Sequence, residues 1–159
     1  MNPHSHAADR IEAFDDMLLE RHDGPELTLL AAIRSWLRPR CDAQREHLDW
    51  REILRKAGLR PDGVEHFDIL MRSLMRVSMR PLDVRCRCAS ELAKDEASLL
   101  QAIALLQVTR SEAAIGLLGE WLPQPAVSGL VKLLRWLAID LLDSGLEIRV
   151  RDRDVSYMH

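Results

Sequence analysis

The chain has 159 residues, 47% of them hydrophobic, 30% charged and 4% aromatic, and its 22 basic and 25 acidic side chains leave a formal charge of −3. A chain of this length buries roughly 68–70% of the surface its unfolded form exposes, so a core can form without a metal or disulfide scaffold. These proportions exclude a collagen-like chain, a disordered tail and a disulfide-rich toxin, and they fit one ordinary globular domain.

The segment Met1–Arg10 shows neither a secretory signal nor a lipidation motif, and the expectation is a cytoplasmic protein. From about Ala8 to His22, Ile11, Phe14, Met17 and Leu18 gather on one side of a helix. Asp23-Gly24-Pro25-Glu26 ends it and starts the next, because proline suits a first helical position. The second helix presents a stripe of Leu29, Leu30, Ile33, Trp36 and Leu37 and stops at Pro39. A third, from about Asp42, aligns Trp50, Ile53, Leu54 and Ala57 before Gly58, whose missing Cβ suits the left-handed residue after a helix. Asp62 lies three residues ahead of Glu65 in capping-box fashion, so a fourth helix is predicted from Pro61 to about Met79. Its Met71, Met75 and Met79, beside Phe67, Leu70 and Leu74, read as core rather than as an adaptable groove.

After Pro81 the apolar period drops to two. Leu82, Val84 and Cys86 alternate with Asp83, Arg85 and Arg87, as in a short half-buried strand. Helices follow over about 95–108, over 109–122 behind a T-x-x-E box of Thr109 and Glu112, and from Pro125 to Asp143, closed by Ser144-Gly145. Leu146-Glu147-Ile148-Arg149-Val150-Arg151 then repeats the pattern of residues 82–87. Parallel in-register pairing would set like charges side by side. Antiparallel pairing of Val84 with Ile148 sets Asp83 against Arg149 and Arg85 against Glu147. The expected fold is therefore mainly α, a compact multi-helix bundle of about six to seven helices with a small two-stranded antiparallel sheet, 82–86 with 146–150. The alternatives are two unrelated edge segments, or Val155–Met158 folding back on the last strand. No Gly-, Ser- or Pro-rich linker separates the N-terminal helices (1–80) from the strand–helices–strand unit (81–159), so residues 1–159 read as a single domain.

The cysteines, Cys41, Cys86 and Cys88, are odd in number and lack C-x-x-C spacing, which argues against a disulfide framework and against zinc. Cys86 and Cys88 read as buried small hydrophobes beside Val84, with Cys41 only a loosely placed further ligand, and the compartment reads as reducing. His4 and His6 read as solvated, and no metal or cofactor is assigned. Without a G-x-S-x-G turn or a glycine-rich phosphate loop, no catalytic residue is assigned either, and the reading leans away from an enzyme.

Two surfaces stand out. Arg72, Arg76 and Arg80 recur every four residues, and Arg85 and Arg87 follow, forming a candidate anion patch whose plainer reading is a solvated face with Asp68 paired to Arg72. The basic side chains are nineteen arginines and three lysines, as in a GC-rich, bacterial-like composition. The second surface lies on the last helix, where Lys132, Arg135, Asp140 and Asp143 share their sector with Trp136 and Ile139. A helix apolar nearly all round must be covered nearly all round, by its own chain or by a partner. Each charge in its window 126–142 would cost about 2.5–3.5 kcal/mol at a bilayer centre, so it is not read as a membrane span. An aromatic anchor with a polar rim fits an interface. Gly116 and Gly119 would let a neighbouring helix approach that rod closely.

The expected function is a non-catalytic protein-interaction or regulatory module. Its partner is a protein, with a homodimer in view, and its interface is Trp136, Ile139, Lys132, Arg135 and Asp140. The competing reading is a nucleic-acid-binding regulator, in which the last three helices and a hairpin of 146–150 with 155–158 imitate a winged helix.

Overall fold

The computed structural model describes residues 24–39 and 48–151. They form six helices: α1 (Gly24–Leu37), α2 (Trp50–Lys56), α3 (Pro61–Val77), α4 (Lys94–Gln107), α5 (Ser111–Gly119) and α6 (Gln124–Asp143). The helix expected over 8–22, the start expected at Asp42 and the fold-back over 155–158 lie outside the described residues.

Local chemistry sets the boundaries. Helix α2 starts at Trp50 because Asp49 caps it, accepting from the Arg51 amide at 3.4 Å. In α3 the proline occupies the first turn and Arg60 the cap, so Asp62 lies inside the helix and the expected Asp62–Glu65 box does not form. The helix ends at Val77, where the Ser78 hydroxyl donates to the Leu74 carbonyl at 2.6 Å. That leaves Met79 beyond it and 84% exposed, with Met75 also exposed, so of the methionine stripe only Met71 is core.

Three helices end alike. After α2, α4 and α6 the chain passes through a left-handed residue, Gly58 (φ 99°), Thr109 (φ 61°) and Gly145 (φ 79°). The next amide reaches back to close the turn: Leu59 to Leu54, Arg110 to Leu105 and Leu146 to Leu141. Thr109 thus terminates α4 instead of opening α5. Its hydroxyl donates to the Val108 carbonyl at 2.6 Å, the cap of α5 is Arg110, and the expected T-x-x-E box is absent.

One continuous apolar cluster runs from Leu29 to Ile148. At its centre is α4, flanked by α1, α5 and α6 and burying Leu99, Leu100, Ala102, Ile103, Ala104 and Leu106. The enclosed rod is therefore α4, whereas α6 buries one side only, through Val127, Leu130, Val131, Leu134, Leu137, Ala138 and Leu141. It packs on α3, α4 and α5. Close approach occurs at Gly63 on α3, where a Cβ would lie 2.8 Å from the Leu59 side chain and 3.1 Å from the Asp140 Cβ. A Cβ at Gly116 would meet nothing within 4 Å, and at Gly119 only a Gln124 side-chain oxygen at 3.8 Å. Among the described residues neither glycine is a point of close helix approach.

No β-strand is present among the described residues, which corrects the expected sheet of 82–86 with 146–150. The alternation itself is real, since Val84 and Ile148 are buried while Asp83, Arg85, Glu147 and Arg149 are exposed. Both segments are tied to α4 instead of to each other. The Asp83 amide donates to Asp95 at 2.6 Å and the Arg85 amide to Glu96 at 3.4 Å. Further along α4, Gln107 accepts from the Ile148 amide at 2.7 Å and donates to the Leu146 carbonyl at 2.9 Å. Gln101 accepts from the Arg151 amide at 2.8 Å and donates to the Arg149 carbonyl at 3.1 Å. The anchoring residues are five to twelve positions apart, roughly 8–18 Å along a helix, whereas paired strands need a spacing of about 4.8 Å.

A fully buried ion pair joins α1 to α4. Arg34 donates to both oxygens of Glu96, at 2.6 and 3.0 Å, and to the carbonyls of Ala89 (2.8 Å) and Glu91 (2.6 Å). Glu96 also accepts the Ala93 amide at 2.8 Å, so this charge pair is enclosed by donors and acceptors from three segments. Buried charge persists only with such compensation.

Candidate interaction surface

Helix α6 is held on one side by its core residues, and its opposite side faces outward. There Trp136 is 58% exposed, Ile139 51% and Leu142 41%, with Lys132, Arg135 and Asp143 exposed among them. Four of the five interface residues read from the sequence thus share the outer face. The fifth, Asp140, turns toward α3, where its carboxylate meets His66 Nδ1 at 2.6 Å. The His66 ring stands edge-on to Trp136, with centroids 5.0 Å apart and planes at 79°. The exposed indole is therefore braced from beneath by a histidine that Asp140 orients, which limits the entropy it would lose on contact. Arg135 reaches across to the Ser111 hydroxyl at 3.1 Å, tying the face to the start of α5. Leu142 extends the apolar ridge by a further turn; its sequence signal was its i+3 spacing from Ile139.

The arginines of the candidate anion patch are dispersed. Arg72 pairs with Asp68, whose other oxygen accepts the Trp36 indole N–H at 2.9 Å. The Arg72 hydrogen bond is the main reason the Asp68 carboxyl is held below its ordinary value; burial opposes it and the Trp36 bond assists. Arg80 grips Asp95 with two bonds, of 2.7 and 2.9 Å. Burial works to raise the Asp95 carboxyl, but the Arg80 fork and the Asp83 amide outweigh it and its value is lowered. Arg76 and Arg85 are exposed. Arg87 turns away, donating to the Leu48 carbonyl and lining a cleft with Arg38 and Arg51. The sequence run thus separates into two arginines neutralised by acids, two solvated side chains and one arginine facing a cleft.

The cysteines also depart from expectation. Cys86 is half-buried and disulfide-bonded, and Cys88 is exposed, because the alternation ends in a turn where the Ala89 amide bonds the Cys86 carbonyl at 3.0 Å. Cys41, His4 and His6 lie outside the described residues. Among the described residues no helix is long and apolar enough to cross a membrane.

Comparison with known proteins leaves this geometry to stand by itself. No protein-family model, no curated protein and no solved structure matches the chain. The winged-helix reading places its first wing strand over 146–150, and those residues run along α4, held by Gln101 and Gln107. Its recognition helix would be α6, which offers only Lys132 and Arg135 as bases.

Proposed function

We propose that this chain is a helical protein-interaction module that acts through the outward face of α6 and takes a second copy of itself as partner. The observation that supports this reading is the braced, 58% exposed Trp136 beside Ile139 on a helix whose other side is core. Homodimer interfaces are isologous, so residue i meets j and j meets i. In an antiparallel pair of α6 helices with the two-fold axis between residues 137 and 138, Trp136 falls opposite Ile139 of the partner subunit. In the same register Lys132 falls opposite Asp143 of the partner subunit. Opposite charges therefore flank a central apolar cluster of two tryptophans and two isoleucines, the arrangement in which hot spots concentrate. Arg135 projects from the flank beside α5 and forms part of the rim, while Asp140 on the other flank acts through His66, which it orients beneath Trp136.

Sedimentation equilibrium across a concentration series tests this. The expected outcome is a monomer–dimer equilibrium that Trp136→Glu and Ile139→Glu each abolish while leaving the helical circular dichroism unchanged. A chain that stays monomeric at every concentration, or a dimer indifferent to Trp136→Glu, would overturn it.

A further inference from the structure

The described residues enclose a cleft of about 430 Å³ between the end of α1, the start of α2 and the turn at Arg87, on a different part of the molecule from the α6 face. Its lining includes three arginines, Arg38, Arg51 and Arg87, none of which forms an ion pair among the described residues. Each is nevertheless held in place. Arg51 stacks over the Trp50 ring at 4.3 Å, Arg38 reaches the Cys86 sulfur at 3.6 Å, and Arg87 donates to the Leu48 carbonyl. Trp50 is itself fixed against Phe67, with ring centroids 5.5 Å apart.

Two carboxylates of the described residues share the cleft. Asp68 is neutralised by Arg72, and Asp49 caps α2 through the Arg51 amide. Among the described residues, three guanidiniums against the one carboxylate not already paired leave a surplus of about two positive charges. Arg87 is partly withdrawn from water, and that burial alone lowers its pKa. Desolvated charge is ordinarily paired, and among the described residues Arg87 has no acidic partner.

We infer that this cleft binds a small phosphate monoester, with Arg38, Arg51 and Arg87 holding the phosphoryl oxygens. A phosphate monoester carries a charge of about −1.5 to −2 at pH 7, which matches the surplus, and guanidinium forks fit its oxygens. A singly charged carboxylate would leave positive charge uncompensated. The volume suits an organic ester, since ligand pockets run from roughly 300 to 1,000 Å³. Of the sequence's basic run only Arg87 takes part; Arg38 and Arg51 join it through the fold.

Isothermal titration with glycerol 3-phosphate and with inorganic phosphate, against sodium chloride of equal ionic strength, tests the inference. The expected result is saturable binding of the ester at least as tight as that of inorganic phosphate. Loss of one charged hydrogen bond should weaken binding about tenfold or more in Arg87→Gln and in Arg51→Gln, whose exposed side chain can be changed without touching the core, while Arg76→Gln leaves it unchanged. No ester binding beyond the chloride control, tighter binding of inorganic phosphate than of the ester, or an affinity indifferent to Arg51→Gln and Arg87→Gln would overturn it.

Discussion

Thr109 occupies a place that glycine fills at Gly58 and Gly145. A left-handed backbone brings a side chain's Cβ toward the following carbonyl, at roughly 1–2 kcal/mol for an L-residue, and β-branched residues are the least suited to it. Thr109→Gly should therefore stabilise the protein by about 1 kcal/mol, part of the relief being offset by the greater freedom of glycine in the unfolded chain. For a domain of this size the thermal midpoint should rise by roughly 2–4 °C, read by circular dichroism. An unchanged or lower midpoint would show that the threonine is not strained there. At the same scale, Arg34 was visible in the sequence, since it stands four residues after Leu30 and three before Leu37 on the apolar stripe. Its partner was not: Glu96 reads as an ordinary first-turn acid, and only folding brings the two together across 62 residues.

Among elements, the lesson lies in the two alternating segments. Burial decides alternation, and each segment carries its own apolar side, so Val84 and Ile148 could be placed inward from sequence. Pairing depends on which donors and acceptors arrive at the exposed backbone, and α4 supplies them with Asp95, Glu96, Gln101 and Gln107. Gln107 thus acts as a substitute for a neighbouring strand, serving Leu146 and Ile148 together. Gln107→Met keeps the side chain's length but leaves that amide and carbonyl without a protein partner, at about 1–3 kcal/mol. Hydrogen exchange should then quicken at Ile148 and leave the amides of α3 unchanged; equal protection of Ile148 in the variant would show that the glutamine does not anchor the segment.

For the whole molecule, the acid forks are fasteners between elements. Asp68 joins α3 to Trp36 of α1, and Asp95 joins α4 to Arg80 and to the Asp83 amide of the segment that leads from α3 into α4. Both carboxyls sit below their ordinary value in the folded chain, so the unfolded chain takes up protons first as the pH falls. Their contribution is complete above about pH 5 and is lost as the pH drops through about 4 toward the lowered folded values. Urea midpoints between pH 3 and pH 7 should fall on the acid side, and Asp95→Asn should lower the neutral plateau and flatten that decline. A variant with the same acid slope as the parent would exclude Asp95 as a contributor.

The sequence by itself determined the helices, their proline starts, two of their glycine stops and most of the core, because periodicity, backbone restriction and burial act over a few neighbouring residues. It also placed Trp136 and Ile139 together with Lys132 and Arg135 on one sector of α6, since spacing alone fixes angular position on a helix. Which helix became the enclosed rod, where two helices touch at Gly63, which acid neutralises Arg80, and how Arg38, Arg51 and Arg87 come to line one cleft were decided only by the tertiary structure. Those outcomes join residues distant in the chain, and their energies depend on competition among partners that no local pattern encodes.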